Sequence, residues 1–457
     1  MCGIVAITGI ETVAGRLVDG LKRLEYRGYD SAGIAVLAGD AIERRRARGK
    51  IVNLEALMAD APVDGPTGIA HTRWATHGKP NETNAHPHVS GKVAIVHNGI
   101  IENFRELRKD LQARGRTFES ETDSEVIAQL IDQNMAEGMD AVDAFEAALK
   151  NLSGAFAIAA IFSGKTDLLM GARKGSPLVL GYGQGEMFLG SDAIALAPLT
   201  RDVTYLEEGD WVVLTPTSHD VRNANGDRVN RPRVKSAVNE GLIERGEYDH
   251  FMLKEIHEQP ESLARSILPY IDQATQTLNL GDVADTMFAK ADRAVAIACG
   301  TAYYAAHTAK YWFEQKAKLA FETDIASEFR YREPVLPQTG PAMFVSQSGE
   351  TADTLAALRY CRQNGTPAVA VVNVPESSIA REAAAIVPTY AGPEIGVAST
   401  KAFTAQLSVL AVLALNAAKA RGHLLPGDEV MAVKSLMALP RKVTEALEAQ
   451  DDIREIA

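Results

Sequence analysis

Cysteine is scarce in this chain: its 457 residues hold three, Cys2, Cys299 and Cys361, and none forms a CxxC pair. Odd in number and far apart, they supply neither a disulfide framework nor a zinc ribbon. An excess of basic charge is also missing. Lys and Arg number 47 against 59 Asp and Glu, a formal net charge of -12, so nothing advertises a nucleic-acid partner. The one short basic run, Arg44 to Arg46 with Arg48 and Lys50, reads as a solvated strand edge or loop. No charged n-region followed by an apolar h-region marks a secretory signal. The longest apolar stretch, residues 407–418, is broken by Ser408 and Asn416 and is too short to cross a bilayer. It reads as a buried helix, and the chain as a cytosolic (cytoplasmic) protein with no membrane partner.

What is present is enough apolar residue, 46%, for more than one core, so two or more domains are expected. The first 235 residues carry short β-type runs at 3–7, 32–37, 91–96, 154–162, 167–171 and 211–214. Helical patterns at 13–25 and 124–135 sit between them. This arrangement suggests an α+β sandwich. The character changes around 235–261, where a linker is expected. From about residue 294 strands, loops and helices alternate: strands at 294–298, 342–345, 368–372 and 385–387 each run into a polar loop and a helix. That rhythm belongs to an α/β doubly wound parallel sheet, which binds ligands at the carboxyl ends of its strands. Residues 440–457 read as one charged helical segment.

Cys2 stands directly behind Met1. Removal of the Met would leave a thiol and a free α-amine on one residue. The amine has an unperturbed pKa near 7.7–8.0 and can serve as a base beside the nucleophile. The plainer alternative is a small residue opening a buried strand.

Four segments of the first half are richer in polar and special residues than a core needs: LEYRGYDSAG at 24–33, GIAHTRWATHGKP at 68–80, VHNGIIEN at 96–103 and SETDSE at 120–125. Asn98-Gly99, after an apolar run, reads by itself as a turn. Beside a thiol nucleophile, the Asn98 amide and the Gly99 N–H can also serve a developing oxyanion. Arg73 can grip a carboxylate bidentately and Asp123 can accept from an ammonium, which together read an α-amino acid backbone; a buried Arg–Asp pair is the alternative. His71, His77, His86, His88 and His97 invite a metal reading, but helical ligand spacings and partner cysteines are missing, so no metal is expected. Trp74 suits either a lid or a core anchor. In the second half, Ser346, Ser348 and Thr351 flank Gly349 at a strand-to-helix turn, where free N–H groups and small hydroxyls make a phosphate cradle or a plain N-cap.

Taken together, the segments Met1-Cys2-Gly3-Ile4, LEYRGYDSAG, HTRWATHG, NAHPH, HNGIIEN and SETDSE resemble the class II glutamine amidotransferase domain, one of the N-terminal nucleophile hydrolases, across the whole first half. CGTAYYAA, ASEFRYRE, SQSGETADTL and EIGVASTKAFT resemble the first sugar isomerase (SIS) domain of the glutamine–fructose-6-phosphate aminotransferase (isomerising) family. The resemblance implies an αββα sandwich at 1–235, a linker and leading helix at 236–284, an SIS domain at 285–430 and a linker helix at 431–457.

It further implies that Cys2 attacks the side-chain amide of glutamine, with Asn98 and Gly99 holding the oxyanion. Arg73, Thr76, His77, His86 and Asp123 would bind the amino-acid end of glutamine, Arg27 and Gly28 would shape the site, and Trp74 would gate ammonia. Thr301, Ser346, Gln347, Ser348, Thr351, Val397 and Ser399 would hold fructose 6-phosphate. No metal or organic cofactor is implied, and the family suggests a homodimer for the full-length form. Two departures stand out. Ala302 occupies a position where some relatives have Ser, and the second SIS domain of the family would begin near residue 457, so the sugar chemistry is expected to be incomplete in this chain. A stand-alone glutaminase and a non-catalytic sugar-phosphate-binding regulator are the competing readings.

Overall fold

A computed structural model of the chain describes residues 2–25, 28–74, 78–236 and 245–456. It divides into two compact units, Met1–Ile243 and Glu244–Ala457.

The first unit is built on two antiparallel sheets. Its strands are β1 (Gly3–Thr8), β2 (Ser31–Ala38), β3 (Ala41–Arg48), β4 (Thr67–Arg73), β5 (His88–Ser90), β6 (Val93–Ile101), β7 (Gly154–Phe162), β8 (Lys165–Lys174), β9 (Val179–Tyr182), β10 (Met187–Gly190), β11 (Asp202–Tyr205), β12 (Trp211–Thr215), β13 (Ser218–Arg222) and β14 (Val234–Lys235). One sheet runs β14-β11-β9-β10-β1-β4-β2-β3 and the other β13-β12-β8-β7-β6-β5.

Side chains alternate across a strand, and β1 shows the consequence. Ile4 and Ala6 point between the sheets, where they meet Val96, Ala159 and Ile161. Val5 and Ile7 face the other way and pack with Leu17 and Leu21 of the helix Ala14–Lys22 and Leu54 of the helix Ile51–Asp60. The outer face of the second sheet is covered by the helices Glu125–Ala136 and Ala141–Asn151 through Ile127, Ile131, Phe145 and Ala148. Helix, sheet, sheet and helix thus form four layers, the αββα sandwich implied by the resemblance.

Two local expectations are corrected. Asn98 and Gly99 make no turn: they lie inside β6, in register with Ala157 and Phe156 of β7. The ladder wins over the local turn preference because β6 continues through Ile100 and Ile101. The basic run forms the edge strand β3, but its guanidinium groups are not simply solvated. Arg46 donates to the carbonyls of Thr83 (3.0 Å) and Ala85 (3.1 Å), and Arg45 to that of Ala61 (2.8 Å). These cations satisfy loop carbonyls that have no strand partner.

In the second unit a small hairpin, β15 (Ile271–Asp272) with β16 (Thr277–Leu278), precedes five parallel strands. These are β17 (Arg293–Ala298), β18 (Ala320–Ile325), β19 (Ala342–Ser346), β20 (Ala368–Val372) and β21 (Ala385–Pro388), in the order β18-β17-β19-β20-β21. The helices Gly300–Trp312 and Lys401–Ala420 cover one face, and Ala352–Gln363 covers the other. The chain steps outward to β18 after β17 and then returns to the far side of β17 for β19. That reversal is the switch point where open parallel sheets place their ligands. The apolar helix Lys401–Ala420 is a core element: Val409, Leu410, Leu413 and Ala417 are fully buried.

Candidate active site

Cys2 precedes a strand held between β10 and β4, which fixes the backbone on which the thiol stands. The Trp74 N–H donates to Cys2 Sγ at 3.3 Å, and the Trp74 carbonyl lies 3.6 Å from the same sulfur. Burial is the main influence on the thiol and pushes its pKa up. The Trp74 N–H and the Arg73 guanidinium oppose that shift, and the Asp123 carboxylate adds to it. The resting sulfur is therefore protonated at neutral pH and requires a base to become a nucleophile.

Asn98 closes on the same residue from β6: its Nδ2 donates to the Cys2 carbonyl at 3.1 Å. Its Oδ1 lies 3.0 Å from His71 Nε2, which is also 3.0 Å from the His97 carbonyl. Gly99 adopts a φ of +126°, and a Cβ there would stand 2.0 Å from the Ala155 carbonyl oxygen, so this backbone excludes any side chain. Gly28 is constrained similarly, since a Cβ would come 2.5 Å from the Arg73 carbonyl carbon.

Arg73, at the end of β4, is buried and donates to the carbonyls of Gly78 and Lys79. Asp123 is buried and accepts from the Ile101 N–H at 2.8 Å, which ties SETDSE to the end of β6. Trp74 is 39% exposed beside the thiol, and its ring meets Tyr29 edge-on at 5.4 Å. Arg27, Thr76 and His77 lie outside the described residues.

The remaining histidines form a buried stack. His71 lies parallel to His86 at 4.1 Å, and His86 meets His88 edge-on at 4.6 Å. His86 Nδ1 accepts from the His97 N–H (3.2 Å), His88 Nε2 bonds with the Thr122 hydroxyl (3.1 Å), and His97 Nδ1 bonds with that of Ser124 (2.8 Å). Burial lowers the basicity of all four rings, holding His71 at about 3. Among the described residues no group of three or more His, Cys, Asp or Glu side chains is placed to hold a metal ion. Sequence reasoning gave His71 no role beyond a metal ligand; its contact with Asn98 spans 27 residues and has no local signature.

In the second unit, the loop after β19 forms a compact cradle. Ser346 Oγ accepts from the Gly349 N–H (3.0 Å) and meets the Thr351 hydroxyl (3.1 Å), while Ser348 Oγ accepts from the Glu350 N–H (3.2 Å). Gly349 has a φ of +64°, and a Cβ would lie 1.9 Å from Ser377 Oγ. Gln347 belongs to the same turn, its carbonyl accepting from the Asn373 N–H. Thr301 begins the helix after β17, on the neighbouring strand end.

The segment carrying Val397 and Ser399 is held by two carboxylates. Glu394 accepts from Ser399 Oγ and from the N–H groups of Thr400 and Ala402, at the positive end of the helix Lys401–Ala420. Glu255, on the helix Phe251–His257, accepts from the Ile395 and Gly396 N–H groups. Lys401, only 2% exposed, pairs with Glu258. Val397 remains 63% exposed.

Two family models match the chain: a glutamine amidotransferase domain over residues 71–198 and an SIS domain over 287–416. The glutamine–fructose-6-phosphate aminotransferases (isomerizing) of Bradyrhizobium diazoefficiens and Caulobacter vibrioides are each 55% identical to it, over all of this chain and 75% of theirs. That of Zymomonas mobilis is 52% identical over the same shares. Among solved structures, the C-terminal domain of glucosamine-fructose-6-phosphate aminotransferase from Francisella tularensis is 40% identical, covering 47% of this chain and 60% of that one, with a TM-score of 0.45.

Proposed function

The chain belongs to the glutamine–fructose-6-phosphate aminotransferase (isomerising) family, and from that premise we propose how its own residues divide the glutamine-dependent amination of fructose 6-phosphate. With Met1 removed, the Cys2 α-amine takes the thiol proton as sulfur bonds to the side-chain amide carbon of glutamine. The carbonyl π pair moves to oxygen. One Asn98 N–H is taken by the Cys2 carbonyl; the other, with the Gly99 N–H, receives the oxyanion. The C–N bond then breaks, the amine returns the proton, and ammonia departs. Water hydrolyses the Cys2 thioester to glutamate.

Arg73 holds the α-carboxylate and Asp123 the α-ammonium of glutamine, together with Thr76 and His77. His86 contributes from behind, through its stack on His71. Trp74, half-exposed beside the sulfur, gates the departing ammonia. The sugar phosphate sits on Ser346, Gln347, Ser348 and Thr351, with Thr301, Val397 and Ser399 around the sugar.

One observation supports the reading: Cys2 accepts from the Trp74 N–H at its sulfur and from the Asn98 amide at its carbonyl, which favours one site for the proposed nucleophile and oxyanion donor. Its test is product analysis with glutamine and fructose 6-phosphate, quantifying glutamate and glucosamine 6-phosphate. Glutamate release is expected from the parent and none from Cys2→Ala; substantial release by that variant would exclude the assignment. Ser348→Glu is expected to abolish saturable binding of fructose 6-phosphate by calorimetry, because it sets a carboxylate against the phosphate.

A further inference from the structure

We propose that His71 is a positioning residue for the oxyanion hole: in its Nε2–H form it orients the Asn98 amide so that Nδ2 points at Cys2 and its remaining N–H at the substrate oxygen. The inference rests on the reading of Asn98 as an oxyanion donor.

The tautomer follows from the partners. His71 Nε2 lies 3.0 Å from the His97 carbonyl oxygen, which carries no hydrogen, and 3.0 Å from one end of the Asn98 amide. Nε2 must therefore be the protonated nitrogen. Nδ1 is then a bare lone pair, and it has no hydrogen-bond partner among the described residues. A ring with its donor engaged at Nε2 and nothing to donate to at Nδ1 is fixed as neutral imidazole.

The orientation of Asn98 follows in turn. An amide end that receives a hydrogen from His71 is the oxygen, so the other end is the NH₂ group. That group stands 3.1 Å from the Cys2 carbonyl, which can only accept. One amide hydrogen is fixed there, and sp² geometry then fixes the direction of the second. The ring that sets this orientation is itself held on three sides. It is fully buried, β4 pairs its residue with Ile4 of β1 and Gly33 of β2, and His86 stacks on its face at 4.1 Å. Preorganisation of this kind is what gives an oxyanion donor its catalytic effect, since a donor that must reorient during the reaction loses much of it.

The test is a double-mutant cycle on the full chain, with glutamate release as readout. His71→Phe is expected to lower kcat about 10- to 100-fold, with KM for glutamine within about twofold. In an Asn98→Ala background the same substitution is expected to add less than about twofold, because the amide it orients is gone. Glutamate γ-semialdehyde gives a second readout. The Cys2 thiol adds across its C=O, sulfur bonding to carbon and the thiol proton passing to oxygen, which places that oxygen in the oxyanion position. Its inhibition constant is expected to rise by the same factor as kcat/KM falls, while glutamate binding stays unchanged.

His71→Gln retains an N–H donor, and an intermediate kcat is expected from it. If His71→Phe does not fold, the Gln variant carries the same cycle. Equal fold-losses in both backgrounds, or an unchanged semialdehyde constant, would show that His71 supports only the fold and would overturn the proposal. Full activity in Asn98→Ala alone would instead overturn the assignment of Asn98, and the proposal with it.

Discussion

Gly99 and the buried histidines show how single residues constrain this site. With φ at +126° and the Ala155 carbonyl 2.0 Å from any added Cβ, Gly99→Ala must displace β6 from β7. It is expected to reduce glutamate release at least about 100-fold, the loss that the oxyanion role proposed for Gly99 implies, which a steady-state assay would show. The imidazoles of His71, His86, His88 and His97 make stability depend on pH. In the unfolded chain each takes up a proton below about 6.5. In the folded chain burial suppresses that uptake, to about 3 for His71 and below the ordinary value for the others; Arg44, Arg46 and Arg73 reinforce the effect at His88, and Asp123 opposes it at His97. Unfolded molecules therefore bind more protons, and stability falls as pH drops from about 6.5 toward 3, by up to about 1.4 kcal/mol per pH unit for each imidazole. Urea midpoints at pH 7 and pH 5 measure this; equal midpoints would contradict it.

At the scale of elements, the segment 394–401 shows what sequence reading reaches and what it misses. Its motif and the strands β17, β19 and β20 are legible, because a parallel sheet buried on both faces leaves continuous apolar runs. The carboxylates that hold the segment are not. Glu255 lies about 140 residues from its N–H partners, and only the fold brings it there. The small residue at 396 has its reason in that contact, since a Cβ would approach Glu255 Oε2 to 2.5 Å. Glu255→Ala strips the buried Ile395 N–H and the part-buried Gly396 N–H of their carboxylate acceptor. It is expected to weaken fructose 6-phosphate binding about 10-fold or more by calorimetry, with glutamate release unchanged. The strand β18 escapes a sequence reading for a related reason, and β3 is legible only as a strand edge or loop: both are sheet edges with polar sequences, ETD and ERRR, that carry no alternation. Asn98-Gly99 misled in the opposite direction, because a dipeptide that favours turns on its own lies here within a strand, where the Asn98 amide reaches the Cys2 carbonyl.

For the molecule as a whole, each unit has its own cores. The first encloses one between its sheets and one under each helical layer, and the second has one on each face of its parallel sheet. Residues 1–243 expressed alone are therefore expected to fold cooperatively and to release glutamate; a chain that melts without a transition would refute this. The αββα architecture was legible only through the resemblance, because strand runs do not reveal the order in which strands pair. That order carries a consequence for biosynthesis. β1 is among the first segments to be made, yet it lies between β4 and β10, so it cannot gain both neighbours until Gly190 has been added. At about 5–20 residues per second this takes roughly 10–40 s. For that interval β1 lacks one of its two flanking strands, so the proposed uncovering of the Cys2 amine by a methionine aminopeptidase is expected to precede closure of the sheet around it.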